Sequence, residues 1–377
     1  MSHSMQTAMP GPGGQPGAPV ERAAGLWRLA WNRLRHDRTG LSAMAIVLMY
    51  FLVLFGSMSG LLAHDWDQEV ARGYAPPSLL ARVPGEAGND TVASSGILPL
   101  GQTSGSPAAH DASIAQPGQI DYFGVQDPLA AELHAIGLLR AGEQVAQVAD
   151  KKSSLLLGAD KWGHDVLKKT IKGAETSILV GLVSALTAVA LGTLLGAVAG
   201  YFGGLVDAVC NWFYSVFTAV PYLLLVLAVA AVLQTKGVAT IILILGLTGW
   251  TGTYRLMRAE YIKHKSREYV LAATAIGAGH ARRLLAHILP NVSHVALVQM
   301  SVLTVGFIKS EVILSFLGFG VPVGMVSWGS MLNEAQNELI IGKWWQLAAA
   351  TTAMAVLVTA FSLMADALRD ALDPKLK

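Results

Sequence analysis

The chain has 377 residues, of which 53% are hydrophobic, 14% are charged and 39 are glycine, with a mean hydropathy of +0.48. Water-soluble chains carry about 25% charged residues, so neither a soluble globular enzyme nor a disordered chain fits this composition. The 27 basic and 25 acidic side chains leave a net charge of +2, too small to argue for nucleic acid, and the single cysteine, Cys210, excludes an internal disulfide or a cysteine metal cluster.

Taken in chain order, residues 1–20 are rich in Gly, Pro, Gln and Ser, and a tail of residues 1–38 is expected to be largely disordered because it has little apolar surface to bury. Arg28, Arg33, Arg35 and Arg38 precede a first apolar run at 41–63. That run is too long for a signal-peptide core and lacks a clear A-x-A cleavage site, so 39–63 reads as an uncleaved membrane helix. Residues 64–170 form a long polar loop whose middle, 101–119, is turn-rich, with a short helix expected at 128–146. Five further runs follow at 176–206, 208–235, 237–254, 292–317 and 344–365, of which all but 292–317 lack charge. A bilayer core needs roughly 20 apolar residues of helix, and lipid offers the backbone no hydrogen bonds. The spacing therefore predicts an all-α membrane protein with six transmembrane helices, the last five forming a core over 171–377.

In the second run Ser184, Ala188, Gly192, Gly196 and Gly200 recur every four residues, and the three glycines make two overlapping GxxxG steps. Such a stripe lets helix backbones approach closely, either in static packing or at a moving interface. Between the fourth and fifth runs lies a basic segment, 255–290, in which Tyr269, Ala272, Ala273 and Ile276 fall at i, i+3, i+4 and i+7. The pattern predicts a short helix with one small apolar face, ended by Gly277 and followed by a turn at Pro290. Such a helix suits docking into a partner's groove, or else a membrane-surface loop.

Lys309 and Glu311 interrupt the fifth run. Two residues apart, they cannot pair along one helix face, and each costs about 2.5–3.5 kcal/mol at the bilayer centre unless it meets water or protein. Glu311, with Ser315 one turn on, is expected to line a translocation pathway; the alternative is that both charges snorkel to the interface. His280, His287 and His294 repeat every seven residues, but Pro290 breaks the helix and no metal-ligand spacing is present, so no metal site is expected.

Lysine and arginine in short loops set orientation. Arg22, Arg28, Arg33, Arg35 and Arg38, seven basic residues in the 255–290 segment, and Arg369, Lys375 and Lys377 lie on one side, against Lys236 and Lys343 in the short loops opposite. Both termini are expected in the cytoplasm and the 64–170 loop outside.

The run Glu268, Tyr269, Leu271, Ala272, Ala273, Ile276, Gly277, Leu289 and Pro290 resembles the EAA coupling loop of bacterial ABC-transporter permeases: the Ala-Ala pair, the Gly four residues later and the Leu-Pro twelve beyond that match in spacing. Leu271 stands where that family carries its leading Glu. The segment LGADKWGHDVL (Gly158, Asp160, Gly163, His164, Asp165, Val166), the run LSFLGFG from Leu314 with Ser327, Trp328, Gly329 and Met331, and the ending Asp366, Leu368, Arg369, Asp370 resemble the C-type subunit of the dipeptide/oligopeptide/nickel branch. His164 stands where Arg is usual.

The resemblance covers about 26–57 and 155–377. It implies a multi-pass bacterial inner-membrane permease of the type I importer kind, driven by ATP and fed by a binding protein. Its implied partners are a homologous second permease subunit, two cytoplasmic ABC ATPases that hold ATP and Mg, a periplasmic substrate-binding protein and membrane lipid, with no nucleic acid. The implied cargo is di- or oligopeptide, with nickel chelates or other small solutes as alternatives. No G-x-x-x-x-G-K-[ST] loop occurs, so no cofactor and no catalytic residue is expected in this chain, and it is expected not to be an enzyme. An autonomous channel or secondary transporter would rest on Lys309 and Glu311 alone, and a membrane-anchored receptor would need a compact 64–170 domain.

Overall fold

A computed structural model describes residues 35–78, 151–322 and 324–372. The expected tail up to residue 34, residues 79–150 with the helix expected at 128–146, and the final residues 373–377 lie outside the described residues. Those described hold ten helices and no strand: α1 (Arg38–Met58), α2 (Val166–Phe202), α3 (Gly204–Ala219), α4 (Tyr222–Leu233), α5 (Val238–Thr248), α6 (Thr251–Lys265), α7 (Glu268–Ala275), α8 (His280–Phe316), α9 (Trp328–Ile340) and α10 (Trp345–Leu372). Four of them, α1, α2, α8 and α10, are long and apolar enough to cross a membrane.

The run expected as one helix at 208–235 is broken. Pro221 disfavours the helical conformation at the preceding residue, and Val220 is extended (φ −100°, ψ 134°), so α3 and α4 meet at 87°. With this bent pair counted as one crossing, the described residues supply five. The run at 237–254 divides into α5, 11 residues long, and α6, separated by Gly249 and Trp250. Helices α2 and α8 begin earlier than their apolar runs, at Val166 and His280, because polar turns extend them beyond the apolar core. Helix α9 was not expected; its mixed composition hides it, but a capping box starts it, with Ser327 and Ser330 side chains bonding each other's backbone N–H.

The described residues divide into two compact units, 35–52, 178–311 and 355–372 in the first, and 53–78, 151–177, 312–322 and 324–354 in the second. In the first unit the core is a backbone seam. A Cβ on Gly192 would sit 2.7 Å from the Trp250 carbonyl oxygen, one on Gly196 2.7 Å from that of Tyr254, and one on Gly200 2.6 Å from that of Arg258. Steps of four on α2 thus meet steps of four on α6, and only hydrogen fits between them. Beside the seam Phe213 stacks on Trp250 at 5.4 Å, and Arg258 holds Asp207 bidentately at 2.5 and 2.6 Å.

The second unit is organised around buried polar groups. Bridges Ala71–Lys152 and Pro77–Leu155 tie residues that follow α1 to residues before α2, and Ala71, Ala75, Leu155 and Ala159 form a small apolar cluster. Gly163 (φ 86°) turns the chain beneath the Ala71 carbonyl, where a side chain has no room. Trp328 is fully buried and donates through Nε1 to the Thr170 carbonyl at 3.1 Å, as Trp345 does to that of Ala159 at 2.7 Å.

Candidate functional site

The expected docking helix exists as α7, eight residues joined to α6 by Ser266 and Arg267. It ends in a Schellman motif: the Ala278 N–H donates to the Ala273 carbonyl at 2.9 Å and the Gly277 N–H to that of Thr274 at 3.0 Å. Gly277 takes φ 82°, which a side chain would strain. Ala273 and Ala278, the two residues this hydrogen bond joins, are both buried.

Only part of the expected apolar face points outward. Val270 and Ala273 are 2% and 4% exposed, and Val270 packs with Met257, Tyr261, Leu284, Ile288 and Val292. Ala273 therefore belongs to the inward side, not to the docking stripe with Tyr269, Ala272 and Ile276. The physical reason is that α7 has two apolar faces, and period alone cannot say which one the protein covers. The outward face carries Glu268, Leu271, Ala272, Ala275 and Ile276, with Leu271 57% and Ile276 84% exposed. Leu271, at the usual glutamate position, makes this face more apolar.

Tyr269 lies at the edge, its hydroxyl 2.8 Å from His264 Nδ1. Burial lowers the His264 pKa, ahead of an opposing effect of Glu260, which favours the neutral ring that can accept this bond. Arg283 ties the helix down from the other end, donating to Thr274 Oγ1 at 2.9 Å.

Leu289 and Pro290 act through the backbone. Pro290 has no N–H and crowds the carbonyl four residues back, and the turns before it widen into a π-helix over Arg283–Ile288. Asn291 Nδ2 donates to the His287 carbonyl at 2.6 Å. Ile288 is fully buried and Leu289 packs against the same cluster as Val270, so this segment is the bed on which α7 rests. The glycine seam seats α6, which leads straight into α7, on the backbone of α2. Displacing α7 therefore requires moving α6 or parting a tightly packed seam.

Glu311 and Ser315, expected to line a pathway, are 0% and 5% exposed, enclosed by the chain itself, whereas Lys309 is exposed. Neither forms part of an open surface of this subunit, because α8 turns the face carrying them into protein. Among the described residues no group of three or more His, Cys, Asp or Glu side chains could hold a metal ion.

Sequence reasoning missed a polar knot in the second unit. Asp160, fully buried, accepts from the backbone N–H of Trp162 and of His164, both at 2.9 Å, and lies 3.0 Å from His164 Nδ1. Lys169 Nζ reaches Asp160 at 2.7 Å and Glu334 at 2.6 Å, and Gln346 donates to Glu334 at 3.1 Å. Burial alone would raise the Asp160 pKa, but the His164 hydrogen bond and the Lys169 charge outweigh it and hold the carboxyl well below the usual range. Of this knot the sequence motifs single out Asp160 and His164; Lys169 is nine residues from Asp160 but lies in an ordinary basic turn, and Glu334 and Gln346 are far away in sequence and carry no local signal.

Residues 192–377 match the family described as binding-protein-dependent transport system inner membrane component. Among similar proteins, the dipeptide transport system permease protein DppC of Bacillus subtilis is 38% identical over 220 residues, 58% of this chain and 68% of that protein. The oligopeptide transport system permease protein OppC of the same organism is 36% identical over 220 residues, 58% of this chain and 72% of the relative. A di/tripeptide transport system permease protein of Pseudomonas aeruginosa is 34% identical over 226 residues, 60% and 74% of the two chains.

Proposed function

This chain belongs to the family of binding-protein-dependent transport system inner membrane components, and from that premise we propose that it is the permease subunit of an ATP-driven importer of di- or oligopeptides. As a family member it is a multi-pass inner-membrane transport component and not an enzyme. The peptide cargo is supported by the names of the relatives, which are dipeptide, oligopeptide and di/tripeptide permeases. Its working partners in this reading are a second, homologous permease, two cytoplasmic ATPases that bind ATP and Mg, and a periplasmic binding protein that delivers the solute. Six crossings follow if α5 supplies one beside α1, α2, the bent α3–α4 pair, α8 and α10. In this reading α7 and both termini are cytoplasmic, which the basic residues around α7 support.

The observation that carries the reading is the outward face of α7, an apolar patch of Leu271, Ala272, Ala275 and Ile276 on a helix capped at Gly277 and bedded on α8. A groove on an ATPase that accepts this face moves with nucleotide binding, and α7 passes the movement into α6 and the seam. Replacing Ala272 by Trp adds bulk to the exposed face without touching the bed. Expected are normal membrane insertion, loss of co-purifying ATPase and loss of ATP-dependent peptide uptake; normal uptake rejects the coupling role.

A further inference from the structure

A buried carboxyl in the second unit has no place in the proposed coupling route. Glu338, on α9, is 2% exposed, and neither of its side-chain oxygens has a hydrogen-bond partner. The backbone N–H of Lys161 approaches without completing a bond of good geometry. One turn earlier on the same helix, Glu334 already takes Lys169, which also holds Asp160. One ammonium thus serves two carboxylates. The amide oxygen of Gln346, fully buried and bonded through its nitrogen to Glu334, is a second acceptor without a donor.

The charged and titratable groups around this site are Asp160, Lys161, His164, Lys169, Glu334 and Lys343. Lys169 is shared between the buried Asp160 and Glu334, whose side chain is 33% exposed, so it is not free to serve Glu338 alone. A carboxylate at Glu338 would have no counter-ion of its own and no completed hydrogen bond, the arrangement that buried ionic groups avoid by taking up a proton. We propose that Glu338 is a proton-binding site, occupied in this conformation, which releases its proton whenever α9 separates from the residues around Asp160 and water reaches the carboxyl. Protonation removes the charge of Glu338 and adds an O–H donor beside acceptors that lack one. Opening of this unit is thereby linked to pH, in a device separate from the coupling face of α7.

Burial raises the Glu338 pKa, with Lys169 opposing, so the folded protein keeps a proton that the unfolded chain has released. Its stability then falls as pH rises from the ordinary carboxyl value of 4.5 towards the folded value. The test uses the full-length chain purified from membranes with its co-assembled subunits and placed in lipid nanodiscs, comparing the native protein with Glu338→Gln, the neutral near-isostere. Expected are normal assembly of Glu338→Gln, loss of a pH-dependent fall in thermal midpoint that the native protein shows, and loss of one protonated-carboxyl C=O stretch from the infrared spectrum. The proposal is overturned if Glu338→Gln fails to assemble, or keeps the native pH slope, or leaves the infrared band in place.

Discussion

The seam between α2 and α6 and the knot around Asp160 bury their groups by opposite means. At the seam three glycines remove every side-chain atom, and backbone meets backbone with Cβ positions 2.6–2.7 Å from carbonyl oxygens. At the knot, charge meets charge: Lys169 is 3% exposed and bridges Asp160 and Glu334. The seam depends on shape and should tolerate changes of pH and salt. The knot depends on each charge having its partner, and losing one leaves the others buried and unpaired.

Three substitutions would break or sharpen this contrast. The largest effect is expected from Lys169→Met, which strands the Asp160 carboxylate; breaking a buried pair in this way costs about 3–5 kcal/mol. Thermal unfolding of the purified complex should show a large loss, relieved in part by adding Asp160→Asn, and an unchanged midpoint would show that the knot contributes nothing. Next comes Gly196→Ala, whose new methyl meets the Tyr254 carbonyl and the Arg258 backbone nitrogen; overpacking of this kind costs about 1–3 kcal/mol. Its midpoint should fall by the same amount at low and high salt, and a salt-sensitive deficit would contradict a purely steric seam. The smallest effect is expected from Asp207→Asn. Asp207 and Arg258 are 22% and 30% exposed, so the pair is worth up to about 1 kcal/mol, measurable by a double-mutant cycle with Arg258→Gln.

Features written locally were legible. Long uncharged runs announced the crossings, and the i+4 recurrence of Gly192, Gly196 and Gly200 announced a close approach, though not that its partner is α6. Pro221 stood in view inside a run treated as continuous, and hydropathy is blind to the 87° bend it sets. In α7 the helix, its end at Gly277 and its apolar character were all readable. Its orientation was not, because Val270 competes with Ala272 and Ile276 for the core and only the cluster around Tyr261 and Ile288 decides between them. The knot was least visible, since Lys169 and Glu334 lie 165 residues apart and Asp160 looked like one polar loop residue among several.

The sequence by itself determined the membrane class, the helical architecture, the family motifs and the position of the short helix α7, because each rests on composition or on periodicity within a few turns of chain. Only the tertiary structure decided which face of α7 is offered outward, that Glu311 is enclosed, and that Glu338 is buried without a partner. Those properties depend on which distant residues cover a side chain and which charges reach it, and neither burial nor pairing has a local period to read.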